Sequence, residues 1–238
     1  PVMIRFYSPD VEETGMLSEG ESAHCCRVLR MTAGDELEVT DGKGALYRCR
    51  LADANPKGAY VEVISREVVE REWGPRITLA IAPTKNADRM EWLVEKVVEM
   101  GVDEIVLLVC RHSERRKMRL DRLDKIIISA MKQSLKCVLP TLRGLVDIED
   151  FLMEERGGRK YMGYCADDFE RLDFSREYDG ISDVTILIGP EGDFAPEEVE
   201  AAVKSGFVPV TFGKSRLRTE TAGMYGVAAA HTLMMQQL

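Results

Sequence analysis

The stretch LIGPEGDF, Leu187 to Phe194, decides how this chain is read. An apolar run of β type stops abruptly at two glycines, a proline and two carboxylates. A second stretch, FGKSRLRTETA from Phe212 to Ala222, repeats the arrangement behind another short β-like run. In open α/β sheets, ligands bind beyond the carboxyl ends of the strands, where such loops lie. Gly189 and Gly192 allow close approach to backbone amides, and Pro190 stiffens the turn between them. The helix that opens in RTETA is apolar or small on nearly every face, which predicts that it is buried. Thr219 is a natural N-cap, and Glu220 is stabilised by the positive end of the helix. Gly223 and Gly226 predict close packing against another backbone, in this chain or in a second subunit.

Outward from these loops the pattern is βαβ. Strands are expected at Arg76–Pro83, Glu104–Cys110, Tyr161–Ala166, Asp183–Gly189 and Val208–Gly213. Helices are expected at Asp88–Gly101, at Arg119–Ser134, over PEEVEAAVKSG with Pro196 in its first turn and Gly206 beyond its end, and from Thr219 onward. Continuously apolar strands alternating with helices mean an α/β fold with a mostly parallel sheet covered on both faces. The first seventy residues differ. ELEVT (Glu36–Thr40), ALYRCRL (Ala45–Leu51) and AYVEVIS (Ala59–Ser65) are short strands joined by the turns DGKG and NPKG, which predicts a small barrel. One helix, Glu21–Met31 with Ser18 as its cap, interrupts them. The charged segment ending in Gly74-Pro75 divides the chain into domains 1–70 and 75–238.

Composition narrows the chemistry. The 238 residues carry a net charge of −9, so bulk electrostatics would not hold this chain on nucleic acid, although a local basic face would. No apolar run is long enough for a membrane span, and the start PVMIRFYSPD lacks a signal-peptide pattern. Six scattered cysteines without a C-x-x-C pair, and three dispersed histidines, give no metal site and read as thiols of a reducing compartment, the cytoplasm. Rossmann, P-loop and H-E-x-x-H motifs are absent, and the loops hold no spaced nucleophile and base.

The pair LIGPEGDF and FGKSRLRTETA resembles the closing signature of the RsmE family, the 16S rRNA uridine-N3 methyltransferases of the SPOUT superfamily. HCCRVLRMTAGDELEVTDGKGALYRCRL resembles that family's PUA-like N-terminal domain, and KNADRMEWLVEKVVEMGVDEIVLL with HSER resembles the start of its catalytic domain. The resemblance covers nearly the whole chain. It implies a SPOUT-type parallel sheet with a deep C-terminal trefoil knot, preceded by a PUA-like β-barrel. It also implies a homodimer, and S-adenosylmethionine held in the knot loops. By the same resemblance Gly189, Pro190, Glu191 and Gly192 form one wall of the cofactor site, Phe212, Gly213, Leu217 and Arg218 a second, and Tyr164 to Ala166, with Cys165, begin a third. The chain departs from the family at Asp193, where glycine is usual, and at Leu135-Lys136, where Gly-Arg is usual.

Removal of the uridine N3 proton leaves a negative charge on the neighbouring carbonyls. Arg218 is the candidate to stabilise it, and Glu220 or Asp193 to take the proton. For RNA, the basic segment RHSERRKMR with Arg115, Arg116 and Arg119, the loop TKNADR with Lys85, and Arg5, Arg27 and Arg30 of the first domain are the candidate contacts. The expected partner is the 16S rRNA of the small ribosomal subunit. Methylation of a different RNA, a non-catalytic RNA-binding assembly factor and a small-molecule enzyme are the competing readings.

Overall fold

The computed structural model describes residues 4–166 and 170–237. Pro1 to Met3, on which the reading of the chain start partly rests, lie outside the described residues. The chain divides into two compact units, Pro1–Glu72 with Ile128–Leu139, and Trp73–Ile127 with Pro140–Leu238.

In the smaller unit β1 (Arg5–Tyr7), β2 (Glu36–Thr40), β3 (Ala45–Asp53) and β4 (Tyr60–Val68) form a sheet in the order β1-β2-β3-β4. The β2–β3 turn closes because Asp41 accepts hydrogen bonds from the amides of Lys43 (2.7 Å) and Ala45 (3.1 Å), with Gly42 and Gly44 at positive φ. Past α1 (Val11–Thr14), an antiparallel bridge between Met16 and Tyr60 brings the chain against the free edge of β4, so the sheet curls towards a barrel. Phe6, Leu37, Val39, Cys49 and Leu51 fill its interior.

The predicted helix is broken in two. α2 (Glu19–Ala23), capped by Ser18 as expected, passes into a π-helical turn, His24–Val28. The amide of Leu29 bonds to the carbonyl of His24, and that of Met31 to Cys25, with Arg30 left-handed between them. The wide turn keeps Cys25 in the core while Arg27 and Arg30 face solvent.

Ile128–Leu139, which the sequence reading placed in the second domain, clusters with the smaller unit. Leu139 donates to the Gly42 carbonyl (2.8 Å), Gly44 to that of Cys137 (2.9 Å), and Lys132 pairs with Glu21.

The larger unit holds β5 (Ile77–Ile81), β6 (Glu104–Val109), β7 (Thr141–Asp147), β8 (Arg159–Gly163), β9 (Leu172–Asp173), β10 (Val184–Ile188) and β11 (Val208–Thr211). Every pairing among them is parallel, in the order β7-β6-β5-β10-β8-β11-β9. The continuously apolar β5 and β10 are the central pair and are buried throughout. Helices α3 (Ala87–Met100), α4 (Leu120–Gln133), α5 (Ile148–Met153), α6 (Phe174–Glu177), α7 (Pro196–Lys204) and α8 (Thr219–Met235) complete the fold. The chain runs outward from β5 to β7, then builds β8 to β11 on the other side. The reversal therefore falls beside β10, where a ligand crevice is expected.

The final helix corrects three expectations. Within one chain α8 is buried along a stripe, Gly223, Gly226, Val227, Ala230 and Met234, while Tyr225 and Met235 on its other faces are exposed. Its two glycines meet side chains of the same chain. A Cβ at Gly223 would stand 2.8 Å from Ile81, and one at Gly226 would stand 3.2 Å from both Ile186 and Phe212. Thr219 is not the cap. Arg218 holds that position without a side-chain bond, and the Thr219 hydroxyl donates instead to the Gly189 carbonyl (3.1 Å).

Candidate active site

Strands β10, β8 and β11 are neighbours, and their last residues, Ile188, Gly163 and Thr211, release three loops at one edge of the sheet. The loops enclose a cavity of about 780 Å³. Its apolar surface comes from Ile188, Val210, Phe212 and Leu217, and its polar surface from Arg89, Glu191, Asp193, Arg216, Arg218 and Glu220. The loops are tied together. Thr219 reaches Gly189, Asp193 accepts from the Cys165 amide (3.1 Å), and Glu191 accepts from the Lys85 amide (2.8 Å), which brings in the loop after β5. Arg171 donates to the carbonyls of Tyr164 and Cys165 (3.3 and 3.0 Å).

Cys165, Gly189, Pro190, Glu191, Phe212, Gly213, Leu217, Arg218 and Glu220 all line this cavity. Gly192 does not. It turns away against His112, whose Nδ1 lies 3.1 Å from the Gly192 carbonyl and the same distance from that of Asp193. Both partners are acceptors, so that nitrogen carries the proton. Burial pushes the Cys165 thiol above its ordinary range, and the carboxylate of Asp193 adds to the effect.

Arg218 is exposed at the mouth, and its side chain has no hydrogen-bond or ion-pair partner among the described residues. Glu220 is 7% exposed, and its carboxylate lies 3.6 Å from the guanidinium of Arg89. Sequence reasoning gave Arg89 no part in this site. The only signal was its place in TKNADR, and nothing in a linear pattern links that loop to α8.

The proposed RNA residues divide by environment. Arg27 and Arg30 are exposed and unpaired among the described residues. Arg5 is a structural residue. Its guanidinium is 8% exposed, donates to Glu38 at 2.8 Å and is bonded to the Leu135 carbonyl, because parallel β1–β2 pairing sets Arg5 opposite Glu38. Arg115 bonds to the carbonyls of Thr84 and Lys85, Arg116 lies 3.4 Å from those of Cys110 and Arg111, and Arg119 pairs with Asp121. Lys85 pairs with Glu114 at 2.9 Å, and both side chains are exposed. Lys136 is buried. No cluster of three or more metal-ligating side chains occurs among the described residues, and none of their helices is long and apolar enough to cross a membrane.

Comparison with known proteins places this geometry. The RNA methyltransferase domain family matches residues 71–231, and the RNA methyltransferase PUA domain family matches residues 17–64. The chain belongs to the RsmE family of RNA methyltransferases. A relative from Buchnera aphidicola, ribosomal RNA small subunit methyltransferase E, is 24% identical over 94% of this chain and 90% of its own length. The probable rRNA-methyltransferase of Porphyromonas gingivalis is 45% identical, with a TM-score of 0.95 over 99% of this chain and 100% of that one. The RsmE enzyme of Neisseria gonorrhoeae, solved bound to S-adenosyl methionine, is 29% identical with a TM-score of 0.85 over 97% and 98% of the two chains. The SPOUT-type α/β sheet and the PUA-like first domain expected from the RsmE resemblance are thus those of the chain.

Proposed function

We propose that this chain uses S-adenosylmethionine to methylate N3 of a uridine in the 16S rRNA of the small ribosomal subunit, as a homodimer in the cytoplasm. One observation carries the reading. In a chain of the RsmE family, the three loops that end β8, β10 and β11 close around a single cavity with an apolar floor and a charged rim.

The residues present fit the methyl donor. Ile188, Val210, Phe212 and Leu217 suit the flat apolar faces of an adenine. Glu191 and Asp193 suit hydroxyl and cationic groups, and the backbone at Gly213 is open, with nothing within 4 Å of where a Cβ would stand. When bound, S-adenosylmethionine supplies an electrophilic methyl group on a sulfonium centre. This chain orients the two reactants and handles charge and proton. Arg218, unpaired at the mouth, stabilises negative charge on the uracil carbonyls. Glu220 is the better placed of the two carboxylates to receive the N3 proton. Both oxygens of Asp193 already accept backbone amides, from Phe194 (2.9 Å) and Cys165 (3.1 Å), whereas among the described residues the Glu220 carboxylate has Arg89 alone as a partner.

After β11, α8 packs across β5 and β10, which supports the trefoil threading. Exposed Tyr225 and Met235 on α8 supply apolar surface for a second subunit.

Small ribosomal subunits lacking the modification, incubated with methyl-labelled S-adenosylmethionine and digested to nucleosides, should yield labelled 3-methyluridine. Label on another base, or none on rRNA, overturns the reading. Arg218→Ala should lower turnover by about 10²–10³-fold while calorimetric affinity for S-adenosylmethionine falls far less. Near-normal turnover removes the assigned role.

A further inference from the structure

A second, shallower cavity of about 500 Å³ adjoins the first and is lined by Lys85, Asn86, Arg89, Glu114 and Glu191. Arg89 and Glu191 line both cavities, so the two share a wall. The smaller one lies at the carboxyl ends of β5 and β6, one strand over from β10 in the same sheet. A transfer reaction needs two ligands side by side, and this is the adjoining space.

The polar groups there have fixed identities. The Asn86 side chain caps α3, its oxygen accepting from the Asp88 amide at 2.8 Å. That bond settles which end of the amide is which, so the NH₂ group is left as a donor. The Arg89 guanidinium offers donors and no acceptor. Its guanidinium is held near the shared wall by Glu220, buried in the first turn of α8 at 3.6 Å. Glu191 is pinned by the Lys85 amide at 2.8 Å and presents an acceptor. The lining therefore offers both donors and carboxylate acceptors.

Uracil presents the complement along its pairing edge, with carbonyl acceptors on either side of the N3–H donor. Cytosine differs at two of these three positions, with a bare N3 acceptor and an amino group. We propose that this smaller cavity receives the target nucleobase, and that Asn86 and Arg89 read its carbonyls while Glu220 holds Arg89 in place. The assignment rests on the methyltransferase reading above and adds the nucleobase subsite and its specificity residues. Asn86 and Arg89 are then selectivity determinants that touch the base, and Glu220 in addition positions one of them.

Asn86→Asp separates recognition from folding, because aspartate keeps the helix cap and replaces the NH₂ donor with a negatively charged acceptor. The full-length protein and an oligoribonucleotide carrying 4-thiouridine at the methylated position are irradiated, and the crosslinked peptide is identified by mass spectrometry. The crosslink is expected in the segment containing Lys85 to Arg89. Asn86→Asp should keep its melting temperature and its calorimetric affinity for S-adenosylmethionine, yet lose at least tenfold in the preference for a uridine-bearing over a cytidine-bearing oligoribonucleotide. Arg89→Met should raise KM for the RNA at least tenfold, with Arg89→Lys recovering part of it. A crosslink elsewhere, or an unchanged preference in Asn86→Asp, overturns the subsite. Failure of the unaltered protein to bind S-adenosylmethionine overturns the function itself, a separate outcome.

Discussion

Asp193 shows how much of this site is decided by one residue's backbone. It is one of three residues other than glycine at positive φ among the described residues, at 61°, with Arg30 at 55° and Leu135 at 58°. The left-handed conformation costs an L-residue about 1–2 kcal/mol, and Asp tolerates it better than most. The cost is offset locally. The Asp193 amide closes a turn on the Pro190 carbonyl (2.9 Å), and the carboxylate accepts from Phe194 and from Cys165 on a neighbouring loop. Asp193→Ala loses the two carboxylate bonds and keeps the strain, whereas Asp193→Gly loses the same bonds and sheds it. Urea unfolding should therefore rank wild type above Gly and Gly above Ala, with about 1 kcal/mol between the last two. The reverse order of Gly and Ala would mean that the turn is not left-handed. From sequence, the departure from the usual glycine was visible at this position and its meaning was not, because a carboxylate that binds an amide twenty-eight residues away leaves no local pattern. The engagement of Arg5 was hidden for the same reason. Its partner Glu38 is thirty-three residues away, and only the parallel β1–β2 register brings them together.

At the scale of elements, α8 couples packing to the cavity. Gly226 lies against Ile186 of β10 and Phe212, and Phe212 lines the proposed cofactor cavity. A Cβ there would stand 3.2 Å from both, so a bulkier side chain must push the Phe212 ring. Gly226→Val should cost about 1–3 kcal/mol by overpacking and also weaken S-adenosylmethionine binding in calorimetry. Loss of stability with unchanged affinity would uncouple the ring from the ligand. The elements legible in advance were those with strong periodicity. The helices over residues 87–100 and 196–204 and the strands over residues 77–81 and 184–188 were all expected, as were Pro196 in the first turn of its helix and Gly206 past the end, at φ 87°. β7 was not foreseen, because TLRGLVD has a glycine at its centre and half-buried residues through its middle, with neither alternation nor an apolar run. The docking of residues 128–139 on the smaller unit was equally hidden. It rests on backbone bonds from Leu139 and Gly44, which any side chains could make, and on the pairing of Lys132 with Glu21 and of Arg5 with the Leu135 carbonyl, whose members lie more than a hundred residues apart in sequence.

For the whole molecule, charge is the quantity that sequence states best and explains least. A net charge of −9 opposes binding to a polyanion, so any attraction to rRNA must come from local cations. Each phosphate contact to single-stranded RNA contributes about −0.7 to the slope of log K against log salt. Arg27 and Arg30, exposed and unpaired, should each contribute fully, so neutralising both in the smaller unit should flatten the slope by about 1.4. Neutralising Arg115, Arg116 and Arg119 should flatten it by less than three contacts' worth. Arg115 is already engaged by the carbonyls of Thr84 and Lys85, and Arg119 by Asp121. The surplus negative charge adds a second signature. Screening reaches about 8 Å at physiological salt but about 30 Å at 0.01 M, so repulsion from the remainder of the surface grows as salt is removed. The log–log plot should be straight near physiological salt and bend below its extrapolation at the low end. Filter binding across that range tests both points. A slope unmoved by the Arg27 and Arg30 changes would confine rRNA to the larger unit, and a plot that stays straight to 0.01 M would mean that the acidic surface faces away from the RNA.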